Sequence, residues 1–440
     1  MTILLALLAI LPLAVNFWVE LPYEPIKILL IEMLAAVSCA AAFVWVFLNK
    51  KNRSKTSVVE RLGWVDFAVA VWFIILALST VQSDSPYMSF WSSDVRGTGL
   101  AYYAALTALY FIVRFGARTK DWLVFSRISC VVAILVSVYG FLQWLGLDFD
   151  GLERAFPLYG RTGPTRAFAT LGHPNFLGTY LALFAPFGVY VWLKDSRKVW
   201  RFLGGLAVAS SAIAVTLTYS RGAWLAYLGG LAVVWFLWEQ GRFRKSKKII
   251  LGFGLLLLIA TGLFVAVYPR LLKSDNSFVY RIASSFDFRQ GSTLARVSEW
   301  KYALGLILQR PILGYGMDTY VNHAINRTKD PLERNRDWQE ADPSVADRLH
   351  NLFFDIAWSS GLVGLAAFFF LLATVLQRLR KVFKQRTELR HWMVALSGTL
   401  FAYLLSNLTG FDFSASGLWF YLVLAGIVGS EYHQNSYNSA

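Results

Sequence analysis

The feature that most constrains this chain is a succession of unbroken apolar runs, separated by short basic segments, that recurs from its first residues to its last. Runs of about 17 to 25 such residues are long enough to cross a hydrocarbon core of roughly 30 Å as helices. Twelve are predicted, at 2–19, 26–48, 65–82, 100–116, 122–145, 174–193, 202–219, 223–239, 249–268, 352–376, 392–409 and 415–430. A closed barrel would need short strands with alternating polar positions, and the runs do not alternate. The expected fold is therefore an all-α integral membrane protein of about 12 transmembrane helices. Hydrophobic residues make up 56% of the chain and charged residues 16%, a balance unsuited to a water-facing surface. Cys39 and Cys130 both fall inside predicted spans, which leaves no disulfide framework and no cysteine metal site. The first run has no basic residue ahead of it and no small-residue cleavage site, so it is read as a membrane helix rather than a signal peptide.

The net charge of +15 is informative by location. With the N-terminus inside, loops 49–64, 113–123, 194–201, 240–248 and 377–391 carry 23 of the 42 Lys and Arg. This bias places those loops and both termini in the cytoplasm. The opposite face has short tips at 20–25, 219–222 and 410–414, moderate loops at 83–99 and 146–173, and one loop of 83 residues at 269–351. A connection of that length is usually functional or disordered. Its aromatic residues, among them Tyr280, Trp300, Tyr315 and Trp338, point to a folded extracytoplasmic cap. Residues 295–309 would form an amphipathic helix lying on the bundle with Trp300, Leu304 and Ile307 on one face. The chain thus divides into helices one to nine (1–268), the loop domain (269–351), and helices ten to twelve with a cytoplasmic tail (352–440).

Several cations on the outer face have no topological reason to be there. Arg221 occupies the tip Tyr219-Ser220-Arg221-Gly222 between two apolar spans. One reading is snorkelling toward headgroups. The other is a guanidinium fork for phosphate beside a helix N-terminus. His350 opens the tenth span, where an imidazole of unperturbed pKa about 6.5 could take a proton from a hydroxyl or serve as a polar anchor. Asp355, five residues on, is an intramembrane carboxylate expected to face a partner or cavity. Gly361 and Gly364 fit close helix packing. Arg166, His173 and Asn175 surround the start of the sixth span, where Pro174 suits a first turn and His173 its cap. Arg96 and Arg161 add two more outer-face cations, and His323 is a further histidine on that side. Asp148-Phe149-Asp150 has the Asp-x-Asp form of metal-dependent transferases, a pattern that also occurs by chance. Glu32 could belong to an ion path or pair with a neighbouring helix. No Gly-rich phosphate loop, zinc-type histidine pair or nucleophile elbow is present.

These residues carry a resemblance. His350-Asn351, nine residues, then Gly361-Leu362-Val363-Gly364 resembles the signature of the O-antigen ligase and polymerase superfamily of membrane glycosyltransferases. Tyr219 to Ala223, Arg296 with Trp300, the long outer loop and Gly172-His173-Pro174-Asn175 extend the likeness to a ligase-like member. The resemblance implies a GT-C-like bundle and a metal-independent, inverting transferase without cofactor in the cytoplasmic (inner) membrane. Its donor would be a glycan on a polyprenyl (undecaprenyl) diphosphate. Its acceptor would be the hydroxyl of lipid A-core or another cell-surface molecule, as in lipopolysaccharide biosynthesis. His350, Arg221 and Arg296 would be the catalytic residues. Arg221 and Arg296 would hold the diphosphate, with Arg166, Arg161, His173, Asn175 and Arg96 as further contacts to the donor. Membrane lipids are the other expected partners, and nucleic acid is not one.

A repeat-unit polymerase or a protein O-oligosaccharyltransferase would share donor and mechanism and differ in acceptor. A small-anion transporter is the reading from another class, with Glu32 and Asp355 as an ion path. Against it stand the gathering of cations on one face and the lack of a visible inverted repeat or broken helix.

Overall fold

Every regular element among the described residues is helical, as continuous apolar runs demand. The computed structural model describes residues 1–16, 18, 23–48, 62–93, 96–147, 166–238, 292–329, 348–384 and 389–429. Its helices are α1 (Thr2–Ile10), α2 (Glu24–Leu48), α3 (Trp64–Val81), α4 (Pro86–Trp91), α5 (Leu100–Gly116), α6 (Thr119–Trp144) and α7 (Pro174–Lys194). They are followed by α8 (Lys198–Leu217), α9 (Arg221–Trp238), α10 (Ser292–Ile307), α11 (Tyr320–Lys329), α12 (Leu352–Lys384), α13 (Arg390–Asn407) and α14 (Ser414–Gly429). Seven of these, α2, α3, α6, α7, α8, α9 and α12, are long and apolar enough to cross a membrane. The ninth predicted span, 249–268, lies outside the described residues, as do Asp148, Asp150 and Arg161. The first predicted span is shorter than expected. α1 stops at Ile10 and gives way to a 3-10 turn, Leu11–Leu13, at Pro12, whose ring cannot continue an α-helix.

The core is built around α14, every residue of which is buried. A helix covered all round must sit inside a bundle. α7 lies beside it and packs on α8, α9 and α13, while α5 bridges α14 and α2, and α12 packs along α3. Phe125, Phe187, Trp392 and Trp419 interlock at the centre, with ring centroids 5.0 to 6.0 Å apart for Phe125–Phe187, Phe125–Trp419, Phe187–Trp392 and Phe187–Trp419. α2 is peripheral, and Leu29, Met33, Val37, Phe43 and Trp45 point away from the protein.

Side-chain contacts sort the helix ends into two groups. At one end Thr2 meets Asp121, Arg127 pairs with Asp195 at 2.7 Å, Lys194 lies over Trp238 and Arg390 donates to the Leu237 carbonyl. This is the end rich in basic residues. The tips 96–99, 166–173, 218–222, 348–351 and 408–413 meet at the other.

α12 departs from the expected packing helix. Gly361 has φ +66° and breaks α12 nine residues after its start. The break leaves carbonyls and amides without helical partners, and residues 311–316 supply them. Tyr315 N–H donates to Trp358 O at 2.8 Å and Gly316 N–H to Ser359 O at 3.0 Å. In return Leu362 N–H donates to Pro311 O at 2.7 Å, and Ser79 Oγ on α3 donates to Leu313 O at 2.8 Å. Gly361 is therefore a site of backbone insertion, because any Cβ there would collide with Ile312 O. Gly364 is tight against the Ser360 side chain of the same helix, with Ile75 beyond. Non-helical backbone at such depth is tolerated where protein satisfies it. A broken helix, which the sequence did not reveal, is thus present.

A helix does form over this stretch, α10, but its buried face differs from the expected one. Ala303 and Ile307 are buried and Trp300 stacks on Phe354, whereas Leu304 is 47% exposed.

Gly361→Ala should lower the thermal unfolding midpoint in detergent, at a cost of about 2 kcal/mol or more from the left-handed backbone and the collision with Ile312. Gly305→Ala, in open space on α10, should be neutral or slightly stabilising. Equal midpoints for the two variants would contradict the account of the break.

Candidate active site at the loop-bearing end of the bundle

The loop between α13 and α14 provides the floor. Phe413 stacks on Phe176 of α7, with centroids 4.2 Å apart, and Phe411 meets Phe176 edge-on at 5.7 Å. Around this apolar platform stand residues singled out in the sequence. The Arg96 guanidinium lies 4.7 Å from the Phe411 centroid and 5.7 Å from that of Phe176. The His350 ring is 5.1 Å from Phe411, and the His173 ring is 5.2 Å from Phe176. A guanidinium over an aromatic face is held by the ring quadrupole and keeps its N–H edge for other groups.

Local sequence explains the posture of each. His173 precedes Pro174 and is the N-cap of α7, its Nδ1 accepting from Asn175 N–H at 3.1 Å. Arg166 donates through Nε to Thr218 O at 2.9 Å and reaches Asn175 Oδ1 at 3.4 Å, so the 166–175 segment is fastened to the tip before α9. At that tip Tyr219 has φ +51°, and Arg221 begins α9 half-buried. Gly222 faces Thr409, which would lie 2.5 Å from a Cβ, so the start of α9 rests on the same loop that carries Phe411.

His350 is part of a pinned turn. Its φ is +51°, a conformation a histidine keeps only when its surroundings impose it. Leu349 N–H donates to Asp355 Oδ1 at 3.1 Å, and Leu349 O accepts from Trp300 Nε1 at 2.6 Å. Asn351 caps α12, its Oδ1 accepting from Phe353 N–H at 3.0 Å and Phe354 N–H at 3.2 Å, while its Nδ2 donates to Leu408 O at 3.0 Å. Arg348 pairs with Asp318 at 2.7 Å and donates to Thr98 at 2.6 Å. Asp355 thus braces this turn. Arg296 lies one turn before Trp300 on α10, so the indole that grips Leu349 also fixes the helix bearing Arg296 to the histidine turn.

Among the described residues, five non-glycine residues have positive φ: Ser92, Ala169, Tyr219, Asp318 and His350. All five are in the loops of this end. Strain gathered in one place marks a site whose geometry is imposed. His323, by contrast, lies 3.5 Å from Asp84 and packs on Tyr315 and Trp358, away from the phenylalanine floor. Among the described residues, no three of His, Cys, Asp and Glu converge as metal ligands would.

Sequence reasoning missed Arg348, Asp318 and Asp412. Asp412 follows Phe411 and accepts from Ser416 Oγ at 2.5 Å and Tyr103 OH at 3.4 Å. Burial pushes its carboxyl up to about 6, against the lowering effects of Ser416, Tyr103 and Arg348.

Residues 206–369 match the family model described as O-antigen ligase. The chain carries an O-antigen ligase family domain. No curated protein matches the chain. The O-antigen ligase domain includes Arg221, Arg296, His350 and the break at Gly361. Arg96, Arg166, His173, Asn175 and Asp412 come from outside it and are packed onto it.

Because Asp412 keeps its proton to higher pH when folded than when unfolded, its contribution falls as pH rises from about 4 to about 6. The Tm of Asp412→Asn minus that of the wild type should therefore grow across that window and level off above it. A difference that is flat or falls with pH would show that Asp412 is not held as described.

Proposed function

We propose that this membrane protein is a ligase-type glycosyltransferase that moves a glycan from a polyprenyl diphosphate to an acceptor hydroxyl. The observation that carries the reading is the His350 turn. A histidine in an imposed left-handed conformation opens α12 beside an apolar floor, at the end of the bundle where Arg96, Arg166 and Arg221 gather and within the family-matched region. The basic residues collected at the opposite end favour that end as the cytoplasmic one, which would set the site on the outer face of the cytoplasmic membrane.

In this reading His350 takes the proton of the acceptor hydroxyl as its oxygen attacks the anomeric carbon. The bond to the diphosphate breaks on the opposite face of the sugar, and the configuration inverts. Arg221 and Arg296 hold the departing diphosphate, because planar guanidinium forks match phosphate oxygens and stabilise charge that develops there. Arg166, Arg161, His173, Asn175 and Arg96 would contact the remainder of the donor. The break in α12 offers little to the anion-transporter reading, since residues 311–316 occupy its freed backbone groups.

The test is a purified-protein assay with a polyprenyl-diphosphate glycan, candidate acceptors and EDTA. The expected result is metal-independent transfer with release of polyprenyl diphosphate. His350→Ala should abolish transfer while retaining donor binding. Arg221→Ala should weaken donor binding and lose on the order of 3 kcal/mol of transition-state stabilisation, roughly two orders of magnitude in rate, with Arg221→Lys rescuing poorly. Near-normal turnover by His350→Ala between about pH 6 and 9, where an imidazole base would titrate, would overturn the assignment of the base.

A further inference from the structure

The end of α10 and the turn that follows it are apolar on the outward side, where a water-exposed cap would be polar. Leu304, Leu308 and Ile312 are 47%, 64% and 67% exposed, and their stripe continues into exposed Leu362 and Val363 just beyond the break in α12. The backbone sets its depth. Leu362 and Val363 donate to the carbonyls of Pro311 and Ile312 at 2.7 and 3.3 Å, so 311–312 lie level with residues ten positions into α12, roughly 15 Å along a helix of 1.5 Å rise. Ser79 of α3 reaches Leu313 O at the same level, and its neighbours Leu78 and Val81 are exposed and apolar. The stripe is therefore flanked on α3 and on α12 by the apolar surfaces of membrane-crossing helices. Lys301 borders it, exposed, as a cation does that reaches from an apolar surface to headgroups, and Arg310, 47% exposed, is paired at its edge with Asp84.

We propose that the stripe made by Leu304 at the end of α10 and by Leu308 and Ile312 in the turn after it, with Leu362 and Val363, is immersed in the acyl chains of the leaflet on the side of the site. α10 is then a membrane-surface helix whose C-terminal extension dips into the bilayer at the α12 break. Arg296, two turns before Leu304, is held at the height of the membrane surface. The inference stands on exposure and backbone depth and does not depend on the donor assignment.

The test reads depth rather than turnover. Single nitroxide labels are placed on Leu308→Cys and Ile312→Cys, in a Cys39→Ser, Cys130→Ala background, with the full chain in lipid nanodiscs. Val37→Cys, on the outward face of α2, serves as the lipid reference, and Lys120→Cys, in the first turn of α6, as the aqueous one. The ratio of collision with dissolved oxygen to collision with a water-soluble nickel chelate should match Val37 and exceed Lys120 several-fold. Nickel access equal to that at Lys120 would place the stripe in water and overturn the proposal. Low access to both reagents would mean that protein covers it, either residues 249–268 or a second copy, and would also overturn it. Photolabelling of the unmodified chain by a lipid with a diazirine on its acyl chain checks the result without substitution. Label on 304–312 is expected, and its absence there while α2 is labelled contradicts the proposal.

Discussion

The rest of the site depends on the turn 348–351, because a histidine in the left-handed region costs on the order of 1–3 kcal/mol that the turn itself does not recover. Its clamps come from four directions: Asp355 from α12, Trp300 from α10, Asp318 from the segment before α11, and Leu408 from the α13–α14 loop. Hydrogen bonds of about 1 kcal/mol net each, with one charged pair, suffice to hold such a posture. Each clamp also ties a different segment to the histidine. The same bonds that impose its φ therefore fix the helix carrying Arg296 and the loop carrying Phe411.

That loop links the family-matched region to the helices outside it. Phe411 and Phe413 receive Phe176 from α7, Arg96 from the loop before α5 and His350 from the start of α12. Arg166 reaches across to the tip before α9. A transferase needs donor, leaving group and acceptor brought to one place from separate directions, and an assembly of four tips around the apolar floor that a fifth provides is suited to that. The buried α14 beneath makes the floor rigid, since Ser414 N–H is held by Glu24 at 3.0 Å and Ser414 O by Tyr102 at 2.9 Å.

Hydropathy made most of the bundle legible, because a membrane helix declares itself by length and composition alone. Arg166, His173, Asn175 and Arg221 were legible for a related reason: polar residues at the ends of apolar runs stand out. Other features left no local trace. Pro12 shortens α1, which a count of apolar residues passes over. Periodicity puts Leu304 on the face of Trp300 and Ile307, but it cannot tell which side chains of a stripe meet protein, and Leu304 faces away. Gly361 and Gly364 have the spacing of a packing motif, and only the insertion of 311–316 distinguishes a break from a close approach. Arg348 and Asp318 sit in a loop rich in both charges, and their pairing across 30 residues has no sequence period. Asp412 was passed over because a lone aspartate in a tip is ordinarily solvated, whereas here Tyr103 and Ser416 enclose it.

The central claim is that the His350 turn and the arginine-bearing tips form one site for a lipid-borne diphosphate and an acceptor. The most direct measurement is a structure of the full chain in a lipid bilayer with a polyprenyl-diphosphate glycan bound. The account predicts diphosphate oxygens within hydrogen-bonding distance of Arg221 and Arg296, and the anomeric carbon on the side of the His350 ring. A diphosphate seated elsewhere, with those guanidinium groups turned to headgroups and His350 remote from the sugar, would contradict it.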